Sequence, residues 1–360
     1  MKLKGVIMAG GKGTRLRPIT YSIPKPLVPI AGKPCINYVL ESFHRAGVES
    51  AIITTGYKFE SLIKGVLESR IPSQRILFSV EKEPAGTAGG IKLVSDFLDQ
   101  TSIVGSGDIL SDFELRDLVN FHVKNKNKVS IALTTVEDPS QFGIVETEGG
   151  RITRFLEKPS KDETFSKLVN AGIYVIERDV LDLIPQNRTF DFGRDLFPAL
   201  LESGVRMGGI EVPGTWVDTG RPSDLIKANQ KMTEKYGKQG KSHAGKLIVG
   251  ENLQIDHGAT IHGPTFIGNN VKIGKGSAIQ ASSIYDFSTI GSSSQITNSV
   301  IMDGGYVGTS SIVDSSVIMN GTSVGDNCEI RKSVLPPGIR IEDGSRIFNV
   351  SLSPAYSQDD

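Results

Sequence analysis

At 360 residues the chain exceeds what one hydrophobic core organises, since single cores stop growing at about 250 to 300 residues, so two domains are expected. Lys plus Arg number 40 and Asp plus Glu 40, and this zero formal net charge argues against a partner held by non-specific attraction to nucleic acid. The two cysteines, Cys35 and Cys328, fall in different expected domains without CxxC spacing, which excludes a disulfide scaffold and suits a reducing, cytoplasmic setting, while no run of about 18 apolar residues and no apolar signal core points to a membrane.

The apolar run at 3–8 has the length of a buried first strand and delivers Gly10, Gly11 and Gly13 to a strand's carboxyl end, where α/β sheets bind ligands. Glycines there leave backbone N–H groups unshielded, so a pyrophosphate can lie against the main chain, and Arg15 adds a cationic fork for phosphate oxygens. The stretch is neither a P-loop nor a dinucleotide fingerprint, because Leu16 stands where a third spaced glycine would be. Pro34 suits the first turn of a helix running to about Ala46, with Gly47 at its end. Strands at 51–55, 76–80, 102–105 and 129–136 then alternate with helical stretches at 59–68, 87–97 and 114–124, the rhythm of βαβ units. Strands at 143–146 and 152–156 read as a hairpin turning at Gly149 and Gly150.

The first domain is expected to span 1–236, and residues 237–246 lose all apolar periodicity, as a linker does. From 247 to 350 aliphatic residues recur every six positions, at Val249, Ile255, Ile261, Ile267, Ile273 and Ile279. After five-residue steps the beat resumes at Ile284, Ile290 and Ile296, at Ile301 and Val307, at Ile312, Ile318, Val324 and Ile330, and at Leu335, Ile341 and Ile347. A sustained hexad builds a parallel β-helix of about five or six coils, each aliphatic residue pointing inward. Residues 351–360 read as a polar tail.

The ordered run Gly10-Gly-x-Gly-Thr-Arg-Leu, then Pro18, Thr20 and Pro24-Lys25-Pro26, resembles the signature of the sugar-1-phosphate nucleotidyltransferases, or nucleotide-sugar pyrophosphorylases. The resemblance covers nearly the whole chain, with its specific motifs between residues 5 and 225. It implies a Rossmann-like α/β domain with a mostly parallel sheet, followed by a left-handed parallel β-helix. The implied reaction is attack by a sugar 1-phosphate oxygen on the α-phosphorus of a nucleoside triphosphate, releasing pyrophosphate. A phosphomonoester is mostly dianionic at neutral pH, so no general base is required; positioning and charge neutralisation suffice.

By the same resemblance Ala9, Gly10, Gly11, Gly13, Thr14, Gly86 and Thr87 meet the nucleotide, and Arg15 and Lys25 neutralise its phosphates. Asp108, at the end of an apolar strand, and Asp218, in Trp216-Val-Asp-Thr-Gly220, match the aspartates that hold Mg²⁺ between the two phosphates, and carboxylate oxygens suit that ion. Phe155-Leu-Glu-Lys-Pro159 matches the sugar motif, with Glu157 accepting sugar hydroxyls and Lys158 meeting the sugar phosphate; Gly143 offers backbone and Asn170 a hydroxyl contact.

Glu81-Lys-Glu83-Pro-Ala-Gly86-Thr-Ala-Gly89 carries the base preference. An ionised carboxylate only accepts hydrogen bonds, which suits the adjacent N–H and NH₂ donors of guanine and not the mixed edge of uracil or thymine. That favours GTP, with Glu81 as reader and Glu83 as the alternative, and the segment resembles the guanylyl branch acting on mannose 1-phosphate; a thymidylyl or uridylyl enzyme using glucose 1-phosphate is the alternative. Two other classes compete: a hexapeptide acyltransferase using His257 or His262, and a regulatory subunit that binds nucleotide sugar without turnover. The unpaired ends of a β-helix lead us to expect a homo-oligomer. His122, on a helical stretch, reads as a surface or packing residue.

Overall fold

The computed structural model describes residues 3–69, 74–239 and 245–353, so residues 240–244 of the expected linker and 354–360 of the expected tail lie outside the described residues. The chain divides into two compact units, one of Met1–Gly11 with Cys35–Trp216, the other of Lys12–Pro34 with Val217–Asp360.

Among the described residues the main sheet of the first unit has nine strands: β1 (Leu3–Met8), β2 (Val48–Thr55), β3 (Arg75–Val80), β4 (Thr101–Ser106), β5 (Val129–Thr135), β6 (Gly143–Glu148), β7 (Arg151–Glu157), β8 (Leu168–Glu177) and β9 (Met207–Glu211). Their order across the sheet is β3-β2-β1-β4-β8-β5-β9-β7-β6. The first four run parallel, whereas β8 lies antiparallel to both β4 and β5, so the sheet is mixed rather than uniformly wound. The expected hairpin is present, β6 pairing antiparallel with β7 around Gly149 and Gly150.

The helices are α1 (Cys35–Arg45), α2 (Phe59–Glu68), α3 (Gly86–Lys92), α4 (Leu115–Asn125), α5 (Arg178–Leu181) and α6 (Phe197–Glu202). The helical stretch expected at 87–97 is thus shorter, α3 giving way to a 3-10 turn at Ser95–Phe97. Close packing of α1 on the sheet depends on Gly5, where a Cβ would come within 2.4 Å of the Phe43 ring. Beneath β7 and β8 the rings of Phe155, Tyr174, Phe192 and Phe197 pack with centroids 4.9 to 5.6 Å apart. His122 is a packing residue, buried on α4 with Nδ1 3.0 Å from Ser130 Oγ and Nε2 3.1 Å from Glu177.

In the second unit, α7 (Pro222–Tyr236) is followed by a short antiparallel pair, Lys238–Gln239 with Lys246–Val249, flanking the undescribed linker residues. Three sheets follow, each with six parallel strands among the described residues and the first also carrying antiparallel Lys238–Gln239, stacked as in a hexapeptide β-helix. Ile267, Ile284, Ile301, Ile318 and Leu335 form one buried column at 17-residue spacing. Two details of the hexad reading change. Val313, not Ile312, faces Ile296 in register and is fully buried, because the five-residue step falls after it, where Ser315 takes the left-handed corner that Asn298 and Lys332 take in neighbouring coils. Val249 and Ile255 hold the inward register opposite Ile267 and Ile273 yet are 52% and 46% exposed, since the first coil has no coil stacked beneath it.

Residues 12–34 belong to this unit through buried polar contacts. Asn229 of α7 accepts from Ala31 N (2.9 Å) and from the Tyr285 hydroxyl (2.7 Å), and donates to Leu225 O (3.0 Å) and Pro29 O (3.3 Å). Its amide therefore has four partners, and a buried network satisfied this completely specifies one arrangement. The segment that carries Lys25 is fixed by it to the β-helix.

Candidate functional site

Each unit carries its own share of the expected site residues. In the first, β1 ends at Met8 and the chain continues past the ends of its neighbours: Ala9 N donates to Thr54 O (2.8 Å), and Glu81 N donates to Thr55 O (2.7 Å). Gly10 therefore lies beside Glu81, a Cβ at Gly10 falling 3.7 Å from Glu81 Oε1, while nothing lies within 4 Å of the Cβ position of exposed Gly11. The open main chain at Gly11 is available to a ligand as the sequence pattern requires.

Glu81 is half-buried and Glu83 is exposed. Glu81 Oε2 accepts from Ala85 N (3.3 Å), and a Cβ at Gly90 would lie 2.6 Å from Oε1, so Gly90 is the clearance for this carboxylate. Burial raises the Glu81 carboxyl above its ordinary range, and the Ala85 N–H opposes this only in part. Gly86 adopts φ +78° with Phe190 packed where a side chain would be. The Thr87 hydroxyl is engaged within the protein, donating to Asp191 Oδ1 (2.9 Å) and accepting from Phe192 N (3.0 Å).

Asp108 follows β4, its Oδ1 accepting from the Ser106 hydroxyl (2.6 Å), and the preceding Gly107 N donates to Met8 O (2.9 Å). That bond sets Asp108 at the carboxyl edge of the sheet, next to the end of β1. Glu157 ends β7 directly opposite Gly143, and Lys158 turns away in a left-handed conformation, φ +49°, its N–H donating to Phe142 O (3.0 Å). Burial pushes the Glu157 carboxyl up; Lys158 and Arg194 pull it down. In β8 an irregularity between Asn170 and Tyr174 breaks the pairing with β5. There Asn170 Oδ1 accepts from Gly172 N (2.9 Å) and Nδ2 donates to the Tyr174 hydroxyl (3.0 Å). Bulges commonly re-aim a side chain beside a site, and this one fixes the Asn170 amide. Trp216 supports the same region, its indole N–H donating to Ala171 O (3.0 Å) and its ring packing edge-on against Phe142.

In the second unit the structure brings Arg15, Lys25 and Asp218 together. Lys25 Nζ lies 3.2 Å from Asp218 Oδ1 and Arg15 Nη2 lies 3.0 Å from Oδ2. The Lys25 side chain is only 5% exposed, whereas that of Arg15 is 49% exposed, so the first pair is the shielded one. Gly13 is required here: its φ is +61°, and a Cβ would press on Thr20 (2.9 Å) and on the Lys25 stem (3.1 Å). Thr14 is exposed in the 3-10 turn that follows. Asp224 of α7, which sequence reasoning missed, has its carboxyl raised chiefly by burial and further by the Asp218 charge. Asp191, Arg194 and Asn229 were missed too, since none belongs to a motif with fixed spacing, and Trp216, read only as the first residue of the Asp218 motif, was given no role of its own.

Among the described residues no group of three or more His, Cys, Asp or Glu side chains could hold a metal ion, and no helix is long and apolar enough to cross a membrane. His257 and His262 are exposed on the β-helix.

Residues 4–235 match the nucleotidyl transferase family, and residues 281–349 match the GlmU-like C-terminal hexapeptide family. The chain is 36% identical over 290 residues to mannose-1-phosphate guanylyltransferase of Mycobacterium tuberculosis, covering 79% of this chain and 80% of that one. It is 31% identical over 326 residues to a UTP–glucose-1-phosphate uridylyltransferase of Synechocystis, covering 80% and 84%. A crystal structure of HddC from Yersinia pseudotuberculosis complexed with GMP-PN superposes with a TM-score of 0.55 at 26% identity, covering 64% of this chain and 99% of that one.

Proposed function

The chain belongs to the nucleotidyl transferase family, as a sugar-1-phosphate nucleotidyltransferase, and from that premise we propose that it joins GTP and mannose 1-phosphate into GDP-mannose and pyrophosphate. A phosphate oxygen of the sugar forms a bond to the α-phosphorus of GTP while the bond to the bridging α–β oxygen breaks, and pyrophosphate leaves with the electron pair. Being dianionic already, the nucleophile needs no base.

The observation that carries the nucleotide choice is the half-buried Glu81 carboxylate between Gly10 and Gly90. Ionised, it accepts from two guanine donors, and a uracil or thymine edge leaves one of its oxygens facing an acceptor. Gly10 and Gly11 give main-chain N–H groups to the phosphates, and Arg15 and Lys25 supply positive charge as negative charge shifts toward the leaving group. Glu157 accepts sugar hydroxyls from its place between glycines, with Asn170 as the second polar contact and Lys158 at the sugar phosphate.

Asp108 and Asp218 each suit Mg²⁺ chemically, since each offers only carboxylate oxygens, and one or two such groups with substrate phosphates are its usual ligation. When bound, the ion neutralises phosphate oxygens and lowers the barrier to attack. Asp218 meanwhile orients Lys25 and Arg15, as their ion pairs indicate.

Glu81→Gln tests the base assignment. We expect kcat/KM for GTP to fall by about 10- to 100-fold, a charge-assisted hydrogen bond contributing about 1.5 to 3 kcal/mol, while use of UTP or dTTP rises. Unchanged selectivity in that variant would remove Glu81 as the reader.

A further inference from the structure

The bonds that hold the 84–89 turn converge on a segment without any motif, Thr189-Phe-Asp-Phe-Gly-Arg-Asp195. Thr189 Oγ1 donates to Pro84 O (3.1 Å), and Phe190 N donates to Ala85 O (2.9 Å). Phe190 O accepts from the N–H groups of Ala88 and Gly89, each at 2.9 Å. One oxygen of Asp191, Oδ1, accepts from both the N–H (3.0 Å) and the hydroxyl (2.9 Å) of Thr87. Asp191 is fixed in turn, its N–H donating to Asp195 Oδ2 (2.7 Å).

Two residues further on, the same segment meets Glu157. A Cβ at Gly193 would lie 2.4 Å from Glu157 Oε2 and 2.8 Å from its Cδ, closer than real Cβ atoms approach. Gly193 is not among the positive-φ residues, so its backbone tolerates a side chain and only the carboxylate's space demands glycine.

We infer that Thr189–Asp195 positions both substrate-reading groups, Asp191 holding the turn beside Glu81 and Gly193 leaving the space in which Glu157 meets the sugar. The inference rests on the roles proposed above for Glu81 and Glu157. Its consequence is a split: positions two residues apart control different substrates. Asp191→Ala removes the acceptor of two Thr87 donors and loosens the nucleotide side alone. Gly193→Ala displaces the Glu157 carboxylate and disturbs the sugar side alone.

The test is steady-state kinetics on the full chain with each substrate varied separately. Asp191→Ala should raise KM for GTP at least 10-fold with KM for mannose 1-phosphate within 3-fold, and Asp191→Asn, which keeps an oxygen acceptor, should restore most of the loss. Thr87→Val, which keeps the shape without the hydroxyl, should shift the same constant in the same direction and serves if Asp191→Ala does not fold. Gly193→Ala should raise KM for mannose 1-phosphate at least 10-fold and spare GTP. In a Glu157→Ala background Gly193→Ala should add nothing, because the colliding group is gone.

Equal changes in both KM values, an Asp191→Asn variant as impaired as Asp191→Ala, or additive effects of Gly193→Ala and Glu157→Ala would overturn the inference. Failure of the underlying reading looks different. If another nucleotide or sugar is preferred the split is measured on that pair, and a Glu157→Ala variant with unchanged sugar KM refutes the role of Glu157 directly.

Discussion

Glu81 shows what one carboxylate gains from its surroundings. Burial holds its carboxyl above the ordinary range, and the Ala85 N–H only partly offsets this. Binding of guanine requires the ionised form, so association with GTP is complete above the raised pKa and is lost as pH falls through it, at higher pH than an ordinary glutamate would give. A pH profile of kcat/KM for GTP should show this acidic limb, and Glu81→Gln should lack it; a wild-type profile flat down to the ordinary carboxylate range would contradict the assignment. The sequence favoured Glu81 and left Glu83 as the alternative, since both lie in one polar turn. Burial separates them, because Glu81 is half-buried in the clearance left by Gly10 and Gly90 whereas Glu83 is exposed. Asp191 and Gly193 were illegible for the opposite reason: their partners, Thr87 and Glu157, are 104 and 36 positions away, and no local pattern records such a pairing.

At the scale of elements, the β-helix owes its regularity to hydroxyls as well as to aliphatic columns. Thr265, Ser282, Ser299, Ser316 and Ser333 stack at buried corners, and each hydroxyl accepts the N–H of the residue one coil on: 3.3 Å to Ser282 N, 3.1 Å to Ser299 N and Ser316 N, 3.0 Å to Ser333 N. Ser316→Ala would leave the Ser333 N–H without this acceptor, so we expect a loss of about 1 to 3 kcal/mol and a lower melting temperature by calorimetry, with no change in KM. A melting temperature equal to that of the parent would show that the ladder contributes nothing. The hexad was legible because inward positions repeat chemically; the slip at Ile312 arose because Ile312 and Val313 are both aliphatic and only the left-handed corner at Ser315 fixes which one turns in. Strand and helix alternation in the first unit was legible for a similar reason, whereas the reversal at β8 depends on long-range pairing with β4 and β5 that the apolar pattern does not encode.

At the scale of the whole molecule, the first domain was expected at 1–236, whereas each compact unit draws on two stretches of the chain, because Lys12–Pro34 pack with α7 and the β-helix through Asn229 and Tyr285. Arg15 and Lys25, with Gly13, therefore share a unit with Asp218, and Gly10 and Gly11 of the same opening motif share one with Glu81 and Asp108. A single sequence signature is distributed over two bodies, which is why its residues were recognisable together while their supports were not. The central claim concerns what these groups act on, and it is tested by pyrophosphate release with Mg²⁺ across GTP, ATP, CTP, UTP and dTTP, each paired with the 1-phosphates of mannose, glucose, galactose and N-acetylglucosamine. The account predicts a maximum with GTP and mannose 1-phosphate. A maximum with UTP or dTTP and glucose 1-phosphate would contradict it, keeping the family and refuting the carboxylate reading of the base.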